Sequence, residues 1–157
     1  MHFHITGLPI APFTQYFGLT PDALAEAGII RRFADKQPGF PCRVSLCDAE
    51  VGESVLLLNY EHLSVATPYR SQHAIYVRES AVEAHLEPGQ VPAMLRLRLL
   101  SIRAFDNAGM MVGAEVAPGR DLEAVIVQLL ADQHVAYLHV HNAKPGCYAA
   151  RVDRWLR

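Results

Sequence analysis

Long hydrophobic runs are missing from this chain. The apolar run Val-Leu-Leu-Leu at 55–58 is strand-sized, against the ~20 apolar residues a membrane-spanning helix needs. The opening residues, MHFHITGLPIAPF, lack the basic region and apolar core of a secretory signal. A cytoplasmic protein with no membrane contact is expected. Blocks of lysine and arginine are also missing. The net charge is −2 with neutral histidines, and the arginines are scattered among acids. Phosphate backbones attract concentrated positive charge, so no general nucleic-acid surface is expected. Cysteine is scarce: Cys42, Cys47 and Cys147 are odd in number and form no C-x-x-C pair, which argues against a disulfide framework. The roles of Cys42 and Cys47 stay open. P-loop, G-x-G-x-x-G, G-x-S-x-G, H-E-x-x-H and EF-hand spacings do not occur, which removes the commonest nucleotide, hydrolase and metalloprotease readings. Without repeats, heptads or a linker-like tract, residues 1–157 read as one domain.

What is present is a foldable chain. Hydrophobic residues make up 51% and charged ones 19%, enough apolar surface for a core without staples. His2–Thr6 reads as a first strand. Thr20 suits a helix N-cap and Pro21 a first helical residue for TPDALAEAG. Strands are expected at 29–34, at 54–62 (nearly continuous in apolar residues, hence central) and at 73–79. Pro92 opens a short helix over Met94–Leu97, and residues 99–116 form a hairpin turning in Asp-Asn-Ala-Gly. In DLEAVIVQLLADQ, Leu122, Val125, Ile126, Leu129 and Leu130 make one buried stripe. Strands outnumber helices and connections are short, so the class is α+β: a mainly antiparallel sheet with two or three covering helices.

The segment YLHVHNAKPGCYAARVDR, 137–154, carries the densest chemistry. Strands at 135–141 and 147–153 joined by a five-residue loop, Asn142–Gly146, place His141 opposite Cys147, His139 opposite Ala149 and Tyr137 opposite Arg151. Opposed residues share a face, so Tyr137, His139, His141, Cys147 and Arg151 gather on one side. Ala136, Leu138, Val140, Tyr148, Ala150 and Val152 then form the core side. A one-residue slip would mix the two sets.

On that face Cys147 is the candidate nucleophile and His141 its base, since an imidazole can activate a thiol. Arg151 and Lys144 are candidate anion clamps. Tyr137, His139 and Asn142 line the same site, with Arg43, His62 and Arg70 as additions. A second reading is a metal at His139-x-His141, with a third ligand from Cys147, His62 or His73. No acidic residue follows before Asp153, and Lys144 adds a cation. No stoichiometric zinc and no cofactor are therefore expected.

Three stretches, PGFPCRVSLCDAEVGESVLLLNYEH, SIRAFDNAGMMVGAEV and the 137–154 segment, resemble the small bacterial family called domain of unknown function 1203. The likeness runs from FHITGLP to Arg154. It implies a bacterial single-domain protein and assigns no residue a role. Together the residues point to a pocket for a small anionic molecule, with a thiol/imidazole enzyme as one form of it. A non-catalytic binding or interaction module is the alternative.

Overall fold

The computed structural model describes residues 2–155. Two antiparallel sheets face each other. In the larger, β1 (His2–Thr6), β8 (Tyr148–Trp155), β7 (Tyr137–Asn142), β5 (Leu99–Phe105) and β6 (Met111–Pro118) lie side by side in that order. In the smaller, β3 (Ser54–Leu63) is central, between β2 (Ile30–Phe33) and β4 (Ser71–Arg78). The antiparallel α+β class expected from the sequence is therefore found, with its strands divided between two sheets. The chain leaves the large sheet after β1 and returns to it between β4 and β5. Pro88 and Pro92 lie in that connection, where the missing N–H groups cannot extend a ladder.

The helices form where local sequence starts them. Thr20 caps α1 (Pro21–Glu26), its hydroxyl oxygen accepting from the Ala23 N–H, which satisfies one of the helix's free donors. Pro92 precedes α2 (Ala93–Arg96). In α3 (Leu122–Leu130), Leu122, Ile126 and Leu130 are buried, and Val125 and Leu129 pack beside them. This is the stripe read from the spacing.

Two hydrophobic layers result. The outer one sets α2 and α3 against one face of the large sheet, through Leu100, Ile102, Leu138, Val140, Ala150 and Val152. The inner one lies between the sheets and joins Leu56, Leu58, Ile75 and Val77 to Tyr148. All six residues of β7 are buried. Because the large sheet is covered on both faces at β7, neither face of that strand meets solvent, and the histidines point into the space between the sheets.

The segment after β2 closes the end of this space. Pro41 bridges Asp48, and Cys42 runs parallel to Tyr76 at the free edge of β4. The Arg98 guanidinium donates two hydrogen bonds to the Asp48 carboxylate, at 2.5 and 2.9 Å, tying this segment to the start of β5.

Candidate functional site

The hairpin departs from the register read in the sequence, by two residues along most of its length and by one at the tip. His139 lies opposite Arg151 and Val140 opposite Ala150, but His141 lies opposite Tyr148, because the ladder shifts between Val140 and His141. The expected pairs His141–Cys147, His139–Ala149 and Tyr137–Arg151 are not formed; Tyr137 faces Asp153. An extra residue in one strand reverses the inward/outward alternation beyond it. Ala149 and Ala150 both join the outer core, and Tyr148 turns onto the histidine face. Its ring stacks on His62 with centroids 4.7 Å apart and meets His139 edge-on at 5.0 Å. The bulge buries the small alanine and moves the large ring into the wider gap between sheets. At the tip, Gly146 adopts φ 79°, which a side chain would strain. Its N–H donates to the Asn142 carbonyl at 2.8 Å.

Four imidazoles meet between the sheets. His139 and His141 come from β7, His73 from β4, and His62 from β3 at the point where its register slips between Glu61 and Leu63. His62 Nε2 and His73 Nδ1 are 2.6 Å apart. His141 Nδ1 lies 2.9 Å from the Gly146 carbonyl oxygen, an acceptor only, so Nδ1 carries the proton and Nε2 the lone pair. Ligand nitrogens of His62, His139 and His141 all fall within 4.8 Å of one another. The Nδ1 atoms of His62 and His139 are buried without a hydrogen-bond partner among the described residues.

The electrostatics keep these rings neutral. Burial first, then the neighbouring imidazoles and arginines, holds His139 at about 2. Burial, opposed by the Gly146 hydrogen bond, holds His141 at about 3. Burial and His73 hold His62 at about 4. His73 is also lowered, by burial and then by Arg103. Arg103 stands opposite His139, and Ser101 opposite His141, on β5. The Arg103 Nε donates to Ser101 Oγ at 3.3 Å, and Arg103 makes no ion pair among the described residues.

Beside this group lies a cavity of about 550 Å³. Its wall includes Arg43, His73, Arg98, Asn142, Lys144 and Cys147, with apolar cover from Leu57, Tyr76, Leu97 and Leu99. His73 belongs to both the cavity wall and the histidine group. Arg43 is 1% exposed. Its guanidinium donates to the Tyr148 carbonyl at 2.7 Å, the Pro41 carbonyl at 2.5 Å and Cys147 Sγ at 2.9 Å. It has no carboxylate partner among the described residues, and burial lowers its pKa.

The ten residues singled out in the sequence thus fall into three places. Arg43, Asn142, Lys144 and Cys147 line the cavity. His62, His139 and His141 join in the histidine group. Tyr137 and Arg151 border His139 without joining that group, and Arg70 lies on the surface. Arg151 donates to both oxygens of Asp153 and sits 4.0 Å over the Tyr137 ring. Arg70 pairs with Glu61 at 3.0 Å on the surface. The Cys147 sulfur meets the Arg43 guanidinium and the Asn142 amide, while the His141 ring bonds Gly146. Arg103, Arg98 and Tyr148 were missed as site residues, and His73 entered the reading only as a possible metal ligand. For Arg103 a signal existed: one arginine inside the apolar strand LLSIRAF.

The site is defined by two facing antiparallel sheets with a histidine-lined interior and a cationic cavity at one end. Residues 39–154 match the family described as protein of unknown function, DUF1203, and the chain belongs to that family. Neither the curated proteins nor the solved structures contain a match to this chain.

Proposed function

We propose that this protein binds a small anionic molecule in the cavity between Arg43 and the β7–β8 tip. Arg43 carries the proposal. A guanidinium remains charged, and a buried charge without a counter-charge is unfavourable. Two carbonyls and a sulfur occupy its donors, and no carboxylate stands against it among the described residues. Arg98 is already paired with Asp48, whereas exposed Lys144 forms no ion pair among the described residues and lines the same wall. The volume of about 550 Å³ falls in the roughly 300–1,000 Å³ range of small-molecule sites. Charged groups on one wall and leucines on another suit a carboxylate or phosphate on a partly apolar body. In this reading Tyr137, Arg151 and Arg70 take no part.

A thermal-shift series of small carboxylates and phosphates tests this on wild type, Lys144→Met and Arg43→Met. At least one anion should stabilise the wild type, by about 2.7 kcal/mol at 100 times its Kd. The response should shrink in Lys144→Met, whose exposed position leaves folding intact, and disappear in Arg43→Met. Silence from every anion, or an unchanged response in Lys144→Met, refutes the reading.

A second reading rests on Cys147, whose sulfur lies in the same wall and accepts N–H groups from Arg43 and Asn142. Here the Cys147 thiolate, its proton lost to solvent, forms a bond to an electrophilic carbon of the bound molecule and displaces a leaving group that departs with its electron pair. Iodoacetamide should then alkylate Cys147 faster than exposed Cys47 near neutral pH. Slower alkylation of Cys147 leaves a binding site without thiol chemistry.

A further inference from the structure

The anion cavity leaves most of the histidine group unexplained. Three imidazoles converge in a space that leucine or valine would fill without burying polar atoms. His139 is 2% and His141 1% exposed. His62 and His139 each bury an Nδ1 with no partner among the described residues, an arrangement that packed proteins usually avoid. The orphan nitrogens call for something that accepts a lone pair.

We propose that His62, His139 and His141 bind one divalent transition-metal ion, with zinc the best match to an all-imidazole set. Their nitrogens, within 4.8 Å of one another, need to close to about 3.4 Å to hold zinc at ~2.0–2.1 Å in a tetrahedron. Side-chain rotation supplies that distance, most readily for half-buried His62 at its bulge. The surrounding hydrogen bonds already have the form of a metal site. The Gly146 carbonyl takes the Nδ1–H of His141 and frees its Nε2. His73 Nδ1 can likewise take the Nε2–H of His62 and free its Nδ1, the atom that lacks a partner. Metal-bound histidines are held in this way by an acceptor on the far nitrogen.

Three neutral ligands leave a fourth position open. Arg103, on the same face opposite His139, adds positive charge there, so that position suits hydroxide or another anion. Lys144 stands exposed at the hairpin tip, where solvent screens its charge. Cys147 takes no part, because its sulfur is turned to Arg43 and Asn142.

Calorimetric titration of EDTA-stripped, full-length protein with zinc tests the proposal, together with the visible spectrum after cobalt(II) loading. One ion per chain and a cobalt spectrum of nitrogen ligation without a thiolate charge-transfer band are expected. His62→Gln and His139→Gln should each weaken zinc at least ~100-fold, since even residues behind the ligands are worth 10–100-fold. Cys147→Ser and His134→Gln should bind zinc as wild type does, and zinc is titrated without added carboxylate or phosphate, which keeps this outcome separate from that of the anion cavity. Circular dichroism verifies folding, and His62→Gln, changed at a half-buried position, stands in if His139→Gln does not fold. Failure of the folded wild type to take up zinc or cobalt overturns the proposal. So does zinc binding that survives in folded His62→Gln, or that is lost in Cys147→Ser.

Discussion

Acidification from about pH 7.5 to about pH 5 should remove roughly 4 kcal/mol of stability from the metal-free protein through His139 and His141 alone. An unfolded histidine titrates near 6.5, whereas burial holds these two at about 2 and about 3 in the native state. Below about pH 6.5 the unfolded chain binds protons that the folded chain refuses. The stabilisation is therefore complete above that pH and is lost as the pH falls toward the folded values. Over this interval each ring loses about 2 kcal/mol, because the unfolded form gains RT ln(1 + 10^1.5). His62, still held at about 4, and His73 act in the same direction over this interval, so the loss through His139 and His141 is a lower bound. Carboxylates interfere little, since even Glu79, held at about 2 by Arg31, changes its contribution by only about 0.1 kcal/mol above pH 5. Urea melts followed by circular dichroism in EDTA measure the effect. With a slope of about 2 kcal/mol per molar, the midpoint should drop by at least about 2 M. His139→Gln and His141→Gln should each reduce the pH difference by about 2 kcal/mol. Equal midpoints at the two pH values, or a difference unchanged in both variants, would show that these rings are not buried neutral.

Two further outcomes concern the scaffold. Arg151→Met should lower stability by no more than about 1–2 kcal/mol, the sum of a half-exposed ion pair with Asp153 and a cation–π contact with Tyr137. Any anion response should be untouched; its disappearance in a thermal-shift assay would move the site to the far end of the hairpin. Gly119→Ala should destabilise by about 3 kcal/mol, because the added Cβ would lie 1.9 Å from the Leu95 carbonyl oxygen and 2.7 Å from Arg96 Cα, and backbone cannot yield easily. A drop in Tm of about 6–12 °C should follow; a smaller change would mean that the α2–α3 junction adapts.

By itself the sequence determined the elements whose signals are local. Thr20 and Pro21 start α1 at the expected place, and the spacing of Leu122, Ile126 and Leu130 identifies the buried side of α3. The turn after Phe105 and the central place of β3 were also legible, because turn chemistry and continuous apolar runs depend only on neighbours in the chain. That the 137–154 hairpin concentrates polar chemistry was visible as well. Its register was not: a bulge at Ala149 reverses alternation, and both faces of β7 are buried, so no solvent-facing side was available to select the pairing. Only the tertiary structure brings His62 and His73, on a separate sheet, against His139 and His141. Only it turns Arg43 inward onto Cys147 and Tyr148 across more than a hundred residues. Strand spacing along a sequence records which residues share a face. Which sheet that face meets is decided by the packing of the whole core, and both candidate sites lie at that junction.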